Sequence, residues 1–67
     1  MATILLNGQT RNVEDGITLD ALLAASEYAQ RRIAVEINRE IVPKSLHAQR
    51  VLQDGDQIEI VQALGGG

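Results

Sequence analysis

The stretch Thr3-Ile4-Leu5-Leu6-Asn7-Gly8-Gln9-Thr10-Arg11-Asn12-Val13 decides the fold of this chain. Thr3 to Leu6 reads as an aliphatic strand, and the Asn7-Gly8 pair behind it is the strongest short-range signal for a two-residue hairpin turn. Gln9 to Val13 then returns antiparallel to it. Glu14-Asp15-Gly16 breaks the pattern, and the periodicity changes. Thr18 stands where a helix N-cap belongs, with Asp20 in the first turn to complement the helix dipole. Leu19, Leu22 and Leu23 form one apolar stripe on a helix predicted to end near Glu27 or Tyr28. That stripe needs a sheet to pack against.

The second half supplies it. Ile33, Val35 and Ile37 alternate with Ala34 and Glu36, the pattern of a half-buried strand. Asn38-Arg39 suits a tight turn into Glu40-Ile41-Val42, and Pro43 ends that segment because it cannot donate to a ladder. Lys44 to Arg50 has room for a single helical turn. Asp54-Gly55-Asp56 reads as a turn, and Gln57 to Gln62 as the last strand. The order is hairpin, helix, then three further strands, a two-layer α+β design with one main helix on a mixed sheet. The first and last strands are aliphatic enough to pair in parallel at its centre; chain order alone leaves that pairing open.

Composition narrows the function. The chain has 67 residues, enough for one domain, here 1–62, with 63–67 as a tail. It has no cysteine, so stability must come from the aliphatic core rather than from disulfides or thiolate metal sites. Nine acidic against six basic residues give a net charge of −3, the wrong sign for a nucleic-acid partner. The adjacent pair Arg31-Arg32 is expected to be a solvated loop. No apolar run approaches a membrane span, and the N-terminal residues lack the basic region and apolar stretch expected of a signal peptide. A cytoplasmic protein, monomeric when free, is the expectation.

Side-chain chemistry is sparse. His47 is the only histidine, has no cysteine or metal-ligand spacing beside it, and is expected at the surface. Ser26 and Ser45 lie outside any nucleophile-elbow context. Asp54-Gly55-Asp56 lacks the remaining ligands of a calcium loop and is explained as a turn. No metal, no cofactor and no catalytic constellation is expected within the domain. What is left is Gly65-Gly66-Gly67 and a carboxylate on Gly67. Glycine has no Cβ, so such a flexible tail can enter a narrow channel. Ala63 to Gly67, if extended, reaches roughly 16 Å past the last strand. A carboxylate is a poor electrophile until an oxygen becomes a leaving group, most simply by adenylation with ATP in a partner's nucleotide site.

In length, in Ile4-Leu5-Leu6-Asn7-Gly8, in Thr18 before a Leu-rich helix, in Glu36 to Pro43, and in Asp54 to Ile60 leading to a Gln-Ala-x-x-Gly-Gly end, the chain resembles the ThiS family of thiamine-biosynthesis sulfur carriers. The resemblance spans essentially the whole chain. It implies a β-grasp (ubiquitin-like) fold and a protein cosubstrate rather than an enzyme. Family matching assigns Gly66 and Gly67 to the reacting end. Gly67 would be adenylated by a ThiF-type enzyme and become a thiocarboxylate, with sulfur relayed from a cysteine desulfurase and delivered to thiazole synthase. Gly65 departs mildly from the family, which often has Ala or another small residue there.

Strand alternation adds a partner surface. If Ile4, Leu6, Ile58 and Ile60 face the helix, Leu5 and Val61 face the other way, and with Ala63, Leu64 and Gly65 they would form a docking patch. Scattered surface aliphatics would look the same in sequence. Two other functions compete with the carrier. Molybdopterin-type sulfur carriers share its chemistry but are usually longer. A ubiquitin-like modifier would join targets through an amine; Lys44 is the only lysine, which disfavours lysine-linked chains of this protein but not single conjugation. A plain interaction module with an inert tail is the remaining possibility.

Overall fold

The computed structural model describes residues 1–29 and 31–62. The expected tail, 63–67, lies outside the described residues. Strands β1 (Ala2–Leu6) and β2 (Gln9–Val13) form the hairpin read from the sequence. Asn7 and Gly8 both take positive φ, 49° and 83°, as a two-residue turn matched to strand twist requires. Helix α1 (Leu19–Ala24) follows, then β3 (Ile33–Ile37), β4 (Glu40–Ile41), a 3₁₀ turn at Lys44–Leu46, and β5 (Gln57–Gln62). The sheet order is β2-β1-β5-β3-β4. β1 and β5 pair in parallel and the other neighbours antiparallel, so the last strand lies at the centre. This mixed sheet with one covering helix is the β-grasp arrangement that the resemblance implied.

One aliphatic core joins the two layers. Ile4 and Leu6 from β1, Val35 and Ile37 from β3, and Ile58 and Ile60 from β5 are buried together with Leu19, Leu22 and Leu23 of α1. Each such side chain contributes about 1.5–3 kcal/mol on burial, which is how a small chain without disulfides holds together.

The helix starts as its sequence directs. The Thr18 hydroxyl accepts from the Ala21 amide at 3.2 Å. The two amides before it are taken from outside the helix: Leu19 N–H donates to the Arg50 carbonyl at 2.8 Å and Asp20 N–H to the His47 carbonyl at 3.0 Å. Three of the donors that a helix N-terminus leaves over, those of Leu19, Asp20 and Ala21, are thus satisfied.

Two expectations need correction. The helix stops at Ala24, earlier than Glu27 or Tyr28. Ser26 is the cause: its hydroxyl donates to the Leu23 carbonyl at 2.8 Å and accepts from Tyr28 N–H at 3.1 Å, a local alternative to helical bonding. His47 is not at the surface but 6% exposed. Its Nε2 donates to the Val42 carbonyl at 3.0 Å while its own carbonyl caps α1, so the residue braces the helix start against the segment after β4.

Candidate functional site

The described residues that bear on the tail are those at the end of β5. Along its β3 side, Val61 and Gln62 are registered with Ala34 and Ile33. Along its β1 side the strand pairing is shorter, with Leu5 opposite Gln57 and Leu6 opposite Ile58. The Asn7 amide N–H still reaches the Ile58 carbonyl at 2.9 Å, but the chain then turns away into the hairpin.

The side chain of Asn7 supplies the next rung. Its Oδ1 accepts from Ile60 N–H at 2.7 Å, and its Nδ2 donates to the Ile60 carbonyl at 3.4 Å and to the Tyr28 hydroxyl at 2.8 Å. A carboxamide has the donor and acceptor of a peptide group, so it can stand in for a strand residue. Asn also tolerates the left-handed backbone the turn needs. Asn7 therefore both turns the hairpin and binds β5 next to the point where the tail begins. Sequence reading found only the turn; the contact to Tyr28 joins segments that no local pattern connects.

Of the expected site residues, Leu5 and Val61 do lie on the sheet face away from the helix, Leu5 half-buried and Val61 59% exposed. The register separates them. Leu5 is level with Gln57, four positions from Val61, or about 13 Å along the strand. Between them Glu59 stands directly opposite Glu36, a like-charge cross-strand pair. Ala63, Leu64, Gly65, Gly66 and Gly67 lie outside the described residues.

The remaining candidates are structural. Asp56 is buried, accepting from Gln53 N–H at 2.8 Å, Asn38 Nδ2 at 3.0 Å and Arg50 Nη2 at 3.4 Å. Asp54 accepts from Thr3 N–H at 2.8 Å, and Gly55 N–H donates to the Thr3 carbonyl at 2.8 Å. The Asp54-Gly55-Asp56 turn is thus stitched to β1 rather than open to a cation. No cluster able to hold a metal is found among the described residues. A cavity of about 670 Å³ beside Tyr28 and Ile33 is rimmed by Arg31, Arg32 and Lys44, with both arginines exposed as expected. Among the described residues no helix is long and apolar enough to cross a membrane.

The model of the ThiS family matches residues 4–67. The sulfur carrier protein ThiS of Escherichia coli is 41% identical over 64 residues, covering 96% of this chain and 97% of that protein. A thiazole synthase of Paramagnetospirillum magneticum is 47% identical over 64 residues, and this chain spans only 20% of its length. Among solved structures, the thiamine biosynthesis protein (ThiS) of Geobacter metallireducens superimposes with a TM-score of 0.84 at 28% identity, covering 97% of this chain and 99% of that one.

Proposed function

The chain belongs to the ThiS family, and from that premise we propose that it is the sulfur carrier of thiazole formation in thiamine biosynthesis, reacting through the carboxylate of Gly67. The observation that carries this reading is the family match running from the first strand through Gly66 and Gly67. The chemistry follows from the carboxylate. In a ThiF-type adenylyltransferase, a Gly67 oxygen bonds to the α-phosphorus of ATP as the bond to pyrophosphate breaks. The product is a mixed anhydride with AMP. A sulfur nucleophile, supplied through a cysteine desulfurase, then attacks the carbonyl carbon and AMP leaves, so the end becomes a thiocarboxylate. That sulfur passes to thiazole synthase. A stretch similar to this chain within longer thiazole synthases supports the pairing of the two activities.

The domain's part is to be gripped. Leu5, Val61, Ala63, Leu64 and Gly65 are the residues proposed to meet the partner, with β5 leading to the tail from the centre of the sheet. Cytoplasmic location accords with partners that use ATP and cysteine.

The test is intact mass after incubation of the full chain with a ThiF-type enzyme, ATP and sulfide. Exchange of one oxygen for sulfur at the C-terminus is the expected result. The same chain carrying one extra residue after Gly67 is expected to keep its circular dichroism spectrum and to gain no sulfur. A conjugate to a lysine of another protein would replace this reading with that of a modifier, and an unchanged mass would leave an inert module. A thiocarboxylated chain that serves molybdopterin assembly but not thiazole synthase would reassign the pathway.

A further inference from the structure

The Asn7 clasp goes beyond what a hairpin needs. A turn at positions 7 and 8 requires only positive φ, and Gly8, where an added Cβ would meet nothing within 4 Å, meets that requirement by its backbone alone. Asn7 instead spends its whole side chain on β5. Its oxygen and nitrogen take both backbone groups of Ile60, and the nitrogen also meets Tyr28, the only aromatic residue of the chain. Tyr28 is packed against the core, so its hydroxyl is held from behind. Without the clasp the β1 side of Ile60 would have no rung, because β1 has already turned away after Leu6. Ile60 is two residues before the end of β5, and Gln62 is the last described residue ahead of Ala63.

We propose that Asn7, held by Tyr28, is a positioning residue for activation of the C-terminus: it fixes the last residues of β5, the strand that precedes the reacting end. This rests on the carrier reading above. The step served is bond formation between the Gly67 carboxylate and the α-phosphorus of ATP with departure of pyrophosphate. Orientation of the reacting group governs such a step, and a small misplacement at a distance lowers turnover. The Asn7 amide lies in the hydrogen-bonding edge of β5, not among the outward side chains at Leu5 and Val61. Loosening it leaves those outward side chains in place and frees the end of β5 from its hold at Ile60. The signature is a fall in kcat with KM for the carrier preserved. A merely structural role would lower the folded fraction and show as a raised KM and a lower Tm.

The experiment measures ATP–pyrophosphate exchange by a ThiF-type enzyme with the full-length carrier as the varied substrate. Asn7→Gly keeps the turn geometry and removes the amide; Tyr28→Phe keeps the ring and removes only the hydroxyl. Asn7→Gly is expected to lower kcat about tenfold with KM within about twofold of wild type. Tyr28→Phe is expected to lower kcat about threefold, and both to speed hydrogen exchange at the Ile60 amide. If Asn7→Gly does not fold, Tyr28→Phe decides. A folded variant with unchanged kcat, or with the whole loss in KM, overturns the proposal while the carrier function stands. A wild-type chain that supports no exchange overturns the carrier reading and this proposal with it.

Discussion

Replacing Asp56 by Ala tests whether the Asp54-Gly55-Asp56 turn is structural. Asp56 is 6% exposed, and its carboxylate accepts three hydrogen bonds. Bonds to a charged acceptor contribute about 1.5–3 kcal/mol each. The bonds at 2.8 Å and 3.0 Å, to Gln53 N–H and Asn38 Nδ2, count in full. Arg50, at 3.4 Å and with its side chain 32% exposed, adds about 0–1 kcal/mol because water screens it. The gross loss is about 3–7 kcal/mol. Asn38, exposed and still held to Gln57 N–H through its Oδ1, and the partly exposed Arg50 can both give their freed donors to water in the variant, so the net loss is about 2–4 kcal/mol.

A domain of 67 residues has a total stability of roughly 3–10 kcal/mol at 0.05–0.15 kcal/mol per residue. Removing this one carboxylate therefore takes a large share of it. Urea unfolding followed by circular dichroism measures the loss. With a slope of about 1 kcal/mol per molar for a small domain, the midpoint is expected to fall by about 2–4 M. Added calcium or magnesium is expected to leave the wild-type midpoint where it was. A midpoint that falls by less than about 0.5 M, or a wild type stabilised by the cation, would refute the structural assignment.

Two further substitutions test other parts of the fold. Leu19→Ala empties the fully buried position beneath the helix and is expected to cost about 3–5 kcal/mol by urea unfolding; a loss under about 1 kcal/mol would mean that α1 does not seal the core. Arg39→Gly is expected to stabilise the protein by about 1 kcal/mol, because Arg39 sits at φ 70° in the turn after Asn38 and glycine adopts that backbone without strain; a lower Tm would show that the Arg39 side chain contributes something the turn geometry does not reveal.

How far the sequence carried can be read at particular residues. Asn7-Gly8 and the alternation of Ile33, Val35 and Ile37 are local signals with a fixed period, and the hairpin and β3 formed where they pointed. Thr18 likewise announced the helix start, since a capping hydroxyl acts within one turn. The helix end was not legible: Glu27 and Tyr28 are compatible with a helix, and the deciding group was the Ser26 hydroxyl, whose choice between water and the Leu23 carbonyl is made by the folded chain. His47 misled for the same reason. Its neighbours Ala48 and Gln49 are unremarkable, and what buries it is a carbonyl on Val42 and the start of α1.

The candidate site divides along the same line. The proposed reactive group, the carboxylate of Gly67, was legible in the sequence because the side-chain chemistry elsewhere is sparse and the family resemblance runs to the end of the chain. Its mounting was not. Asn7 and Tyr28 are 21 residues apart and Asn7 and Ile60 are 53 apart, so no window of sequence holds the clasp together. Only the parallel pairing of β1 with β5 brings the hairpin turn alongside the last strand. That pairing needs the chain to cross from one half of the sheet to the other over α1, which places the helix, the hairpin and the root of the tail around one strand. The fold thus places β5, whose sequence leads to the proposed reacting end, at the centre of the sheet, and uses a side chain where the backbone of β1 runs out.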